Sequence, residues 1–118
     1  MANARRGEVE AVIDGRRRIL VLTLGALAEL EAAFGAADLM ALAERFSAGR
    51  LSARDVTQVL AAGLRGAGEA VTLEEMAAMR VEDGAVGCVR LVHALLAATF
   101  GREGTQADGP RPPAPPEG

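Results

Sequence analysis

Apolar positions alternate along two short runs near the start of the chain and then recur at helical spacing to about residue 100. Val9-Glu10-Ala11-Val12-Ile13 and Ile19-Leu20-Val21-Leu22 flank Asp14-Gly15, a pair suited to the left-handed backbone of a two-residue hairpin turn. The second run is apolar at both parities, which leaves the register open. That pattern suits a hairpin with one face on helices and the other used by a partner. From Thr23 to Gly35, Leu24, Leu27, Leu30 and Phe34 recur every three to four residues and predict an amphipathic helix. Thr23 can cap its start, Leu22 and Leu27 can staple across that cap, and Gly35 can end it left-handed. We expect this helix to organise the rest of the chain. Glu31 lies inside its stripe and reads as an edge carboxylate that reaches water or an arginine, rather than as a catalytic group.

The pattern then repeats. Asp38 to Ser47 predicts a second helix through Leu39, Leu42, Ala43 and Phe46, stopped by Gly49. Ser52 and Asp55 have capping-box spacing, with Leu51 and Val56 placed to staple, and the stripe of this third helix is Val56, Val59, Leu60, Gly63 and Leu64. Thr72 with Glu75, and Val71 with Met76, give the same two signals for a short helix ending near Arg80. Asp83 is placed to cap a last helix, whose expected inward stripe is Val86, Val89, Val92, His93, Leu96 and Phe100. Beyond Gly101 apolar periodicity ceases, and that stretch holds all 5 prolines. A segment of this kind buries too little surface to offset its ordering entropy, so it reads as a disordered tail.

A chain of 118 residues has room for one domain with a modest core. Half of it is hydrophobic, largely alanine, leucine and valine, and only 3 residues are aromatic, all phenylalanine. That balance favours packed helices over a sheet sandwich. Every one of the 13 cations is arginine and the net charge is −3, a poor basis for nucleic-acid binding by phosphate neutralisation. Arg16, Arg17 and Arg18 follow the turn, but Glu8 and Glu10 on the facing strand are placed to balance them. Nothing in the chain reads as a signal peptide or a bilayer-spanning run, so a cytoplasmic protein without membrane contact is expected.

Candidate chemistry is sparse. The single Cys88 excludes a disulfide framework and a cysteine metal site. His93 has no nucleophile at matched spacing and reads as a core or rim histidine. Gly63-Leu64-Arg65-Gly66-Ala67-Gly68 follows a helix and lacks the lysine and hydroxyl of a phosphate loop; it reads as a helix end and a flexible connection. Glu74, Glu75, Glu82 and Asp83 sit at helix starts, where carboxylates complement the helix dipole. No helix carries the positive charge of a DNA-recognition helix. We therefore expect no enzyme activity, no cofactor and no metal.

The order of elements and several segments resemble a known family. Asp14-Gly15-Arg16, then Leu22-Thr23-Leu24-Gly25-Ala26-Leu27-Ala28-Glu29-Leu30-Glu31 and Phe34-Gly35, look like the start of the small tail protein encoded in gene transfer agent clusters. Phe46-Ser47-Ala48-Gly49-Arg50-Leu51-Ser52 and Ala61-Ala62-Gly63-Leu64-Arg65-Gly66 are similar to that family too. The family is grouped with phage tail assembly chaperones and has also been labelled a tail tube protein. The resemblance implies a chaperone that covers the tape-measure protein during tail morphogenesis, with the tape-measure and major tail tube proteins as partners and self-association open. The alternative is a structural tail component, tube or minor tail. It carries no catalytic motif.

The expected fold is α+β and mainly α: an N-terminal β-hairpin followed by a small bundle of about five helices. The expected organisation is a flexible N-terminus over 1–6, one domain over 7–101 and a disordered Pro-rich tail over 102–118. For the partner-binding surface we expect Met40, Leu73, Met76, Met79 and Val81, since methionine suits a face that accepts related apolar sequences. The same methionines would equally serve to fill gaps in the core.

Overall fold

In a computed structural model, which describes residues 7–47 and 51–101, Asp14 and Gly15 both take left-handed φ angles, 54° and 76°. The stop at Gly49 and the segments 1–6 and 102–118 lie outside the described residues. The Asp-Gly turn closes β1 (Glu8–Ile13) onto β2 (Arg16–Val21) in antiparallel register, with Val9 opposite Leu20, Ala11 opposite Arg18 and Ile13 opposite Arg16. Side chains alternate across a strand, so these six share the face turned to the helices. Ala11, Ile13 and Leu20 on that face are buried. Ile19 and Val21, of the opposite parity, are half-buried on the outer face. The sheet has two strands among the described residues. The segment Arg80–Glu82 runs beside the free edge of β1: the Asp14 N–H donates to the Arg80 carbonyl at 2.7 Å, and the Glu82 N–H to the Val12 carbonyl at 3.0 Å.

Five α-helices follow among the described residues: α1 (Leu24–Phe34), α2 (Leu39–Ser47), α3 (Ala53–Gly66), α4 (Leu73–Ala78) and α5 (Gly84–Leu96), the last running into a π-helical turn, Ala97–Gly101. Their starts follow the expected local chemistry. Thr23 Oγ1 accepts from the Ala26 N–H at 3.1 Å, and Asp38 Oδ1 from the Ala41 N–H at 2.8 Å. Both expected capping boxes are closed in both directions, Ser52 with Asp55 and Thr72 with Glu75. Each satisfies two amide donors that a helix start would otherwise leave open. Gly35 ends α1 at φ 68°. Asp83 departs from expectation: its own φ is 70°, its side chain makes no cap bond, and its Oδ2 instead accepts from Arg90 Nη1 at 3.2 Å.

The core is centred on α3, not on α1. β2, α1, α4 and α5 all pack against α3, and its residues from Val59 to Leu64 are buried without a break. Over this run α3 is apolar all round and has to be covered all round. Its small residues let the neighbours close in, and a Cβ on Gly63 would lie 3.0 Å from Leu20 Cβ and 3.2 Å from Leu95 Cδ1. At the helix end, a Cβ on Gly66 would overlap the Val21 carbonyl. Arg65 then ties this corner together, its Nε donating to the Val71 carbonyl at 2.7 Å and its Nη1 to Glu29 Oε1 at 2.8 Å.

Two expected stripes are displaced. Leu24 is 78% exposed, because α1 buries Ala26, Leu27 and Leu30 instead. Phe34 is half-buried, its ring edge-on to Phe46 at 5.3 Å and beneath the Arg45 guanidinium at 5.0 Å. On α5 the inward side is Gly87, Val92 and Leu95, with Cys88 and Leu91 half-buried, while Val86, Val89 and His93 face outward. Within α5 the only charged or strongly polar side chains are Arg90 and His93, so periodicity had little to orient it. The helix start is closely packed, and a Cβ on Gly87 would overlap the Glu82 carbonyl.

Candidate partner-binding surfaces

The residues expected to meet a partner do not form one face. Met40 stands 70% exposed at the start of α2, whose main packing is on α1. α4 packs instead on α3, and there Met76 is buried, with Leu73 and Met79 half-buried. Val71 and Met76, the expected staple pair, are both core residues, so Met76 gives α4 its anchor and offers no open contact. Val81 is half-buried in the segment bridged to Ile13. Besides Met40, the open apolar surface comprises Leu24 on α1, Leu39 on α2, and Val86 and Val89 on α5.

The α5 ridge is the most ordered of these. Ala85, Val86, Val89, Arg90 and His93 line one shallow hollow, at spacings that put them on one side of the helix. Val86 and Val89 are apolar and β-branched, and no described residue covers them. Sequence reasoning assigned these side chains to the core because apolar character at helical spacing is the same signal for either destination.

A second feature lies behind α5. A groove of about 620 Å3 separates it from β1, floored by Val9, Ala11, Leu91 and Ala94 and ending at Val81 and Glu82. Arg17 and Glu10 pair across its rim at 3.5 Å.

The three arginines of the run have three different surroundings. Arg17 pairs with Glu10 as expected, Arg16 is exposed, and Arg18 turns to the helix face of the hairpin. There Arg18 reaches Glu69 at 3.0 Å with its side chain only 11% exposed, and its Nε is buried without a partner among the described residues. Arg18 is thus a clamp between hairpin and α3–α4 connection, not part of a basic patch. Glu31 is half-buried, with no ion pair among the described residues. Burial pushes the Cys88 thiol above its ordinary range. No cluster of His, Cys, Asp or Glu suited to a metal ion occurs among the described residues, and none of their helices is long and apolar enough to cross a membrane.

A family model described as "Phage tail tube protein, GTA-gp10" matches residues 6–102 and so spans every described element. No curated protein and no solved structure matches the chain. The family match bears out the gene transfer agent and phage tail part of the resemblance, and with it association with other tail proteins. It gives no specific support to a tape-measure chaperone and accords better with the alternative, a structural component of the tail. The chain belongs to the phage tail tube protein family, GTA-gp10.

Proposed function

We propose that the protein is a non-enzymatic structural component of a phage-like or gene transfer agent tail, held among other tail proteins through apolar helix faces. The observation that carries this reading is the α5 ridge. Val86 and Val89 are 63% and 44% exposed on a helix whose opposite side is already in the core. Burying such side chains against a neighbour releases about 25 cal/mol per Å2 of apolar surface, and an uncovered apolar ridge is a common mark of an interface. The family match supports the tail as the setting. Co-expression with the tube and tape-measure proteins, followed by pull-down, tests it. A tail partner should be retained by the wild-type protein and lost from the double variant Val86→Glu with Val89→Glu, which leaves folding intact. Equal retention by both would refute the role given to α5.

A second reading, a chaperone that covers the tape-measure protein, is favoured by one observation. The sheet is two-stranded among the described residues, too little by itself to build the wall of a tube. In that case the retained partner would be the tape-measure protein, and the protein would leave before the tail is complete.

A further inference from the structure

We propose that the groove between β1 and α5 receives an extended, basic segment of a second polypeptide, added as a strand on the free edge of β1. The edge is defined by the turn. A two-residue hairpin loop makes Ile13 and Arg16 the hydrogen-bonded pair, so Val9, Ala11 and Ile13 bond to β2 while Glu10 and Val12 turn their N–H and C=O groups outward. The outward carbonyl of Val12 is already taken by Glu82, and the N–H of Asp14 by Arg80. This edge therefore accepts an antiparallel segment within its own chain. The segment stops short, because Asp83 and Gly84, at φ 70° and 60°, turn the backbone away into α5. Past that point the outward N–H and C=O of Glu10 meet no partner among the described residues. The groove of about 620 Å3 occupies the place where a third strand would continue.

The lining selects the occupant. Small apolar side chains on the floor suit alternate residues of a strand. Of the carboxylates at the rim, Glu10 is loosely paired with Arg17 at 3.5 Å and Asp83 with Arg90 at 3.2 Å, while Glu82 has no ion pair among the described residues. An incoming arginine or lysine would meet Glu82 and Glu10, whereas an acidic segment would meet like charge. This inference holds for either tail role.

The test uses the full chain and a fluorescent synthetic octapeptide alternating arginine and valine, with its glutamate–valine counterpart and a backbone N-methylated arginine–valine version. The expected result is saturable anisotropy for the first peptide only, with slowed exchange of the Glu10 amide at saturation. Glu82→Lys should weaken binding about three- to tenfold, and Glu10→Pro, which removes an outward donor together with the rim carboxylate, by at least a similar factor. Should Glu10→Pro fail to fold, the N-methylated peptide makes the same measurement on the unaltered protein. Absence of saturable binding, equal binding of the acidic or N-methylated peptide, or an unchanged Glu10 amide would overturn the proposal. So would a Glu10 amide protected without peptide and released on dilution, which would assign the groove to a second copy of the chain.

Discussion

Leu95 and Val86 lie on the same helix and differ in sequence character hardly at all, yet one is fully buried and the other 63% exposed. Truncating each to alanine should separate them sharply. Leu95 sits against Gly63 of α3, where the backbone cannot collapse far into the space vacated. A cost of about 2–5 kcal/mol is expected for such a site, a large share of the ~5–15 kcal/mol that stabilises a domain. At about 4–8 °C per kcal/mol for a domain of this size, Leu95→Ala should melt at least ~8 °C below wild type. Val86→Ala removes methyl groups that already face water and replaces a β-branched residue by the best helix former, so it should stay within about 0.5 kcal/mol. Thermal denaturation followed by circular dichroism reads both. Comparable losses for the two variants would mean that α5 is rotated toward the expected stripe of Val86, Val89 and His93, and would remove the basis for an open ridge.

Thr72→Ala opens the capping box of a six-residue helix and should cost about 0.5–2 kcal/mol by urea denaturation. Gly66→Val should cost more than Gly68→Ala in the same assay, since only the first forces a side chain into the Val21 carbonyl; the reverse order would contradict the packing of α3 on β2. Glu31→Gln should be near neutral, as its carboxylate has no ion pair among the described residues to lose. The Cys88 thiol, held above its ordinary range by burial, should be alkylated more slowly than a free thiol at pH 8 and catch up only as the pH rises further. Equal rates at pH 8 would show an open thiol.

Local chemistry was the most legible part of the chain. Asp14-Gly15 permits the two left-handed residues of the hairpin turn, and Ser52–Asp55 and Thr72–Glu75 close boxes whose partners are three residues apart, so no tertiary knowledge was needed. Rotation of a helix about its axis depends on its neighbours. α5 offered apolar residues on every side, and its packing on α3 and β1 is visible only in three dimensions. The hub role of α3 had a signal, an uncharged run from Val59 to Leu64, but its glycines read as a helix end. Met76 illustrates the limit for sites. Methionine serves open surfaces and core gaps equally, and in α4, a helix of six residues, the staple with Val71 took it inward. Arg18 reads as surface beside Arg16 and Arg17, and only the strand register places it facing Glu69.

The inventory of purified particles bears most directly on the tail role. Particles produced by cells expressing the protein should be gradient-purified, checked by negative-stain microscopy for tails, and quantified by mass spectrometry against the major tube protein. A structural component should be recovered in a fixed ratio to the tube protein across preparations and be enriched in detached tails. Recovery only from the lysate, in complex with tape-measure protein and absent from tailed particles, would contradict the structural account and establish the chaperone reading.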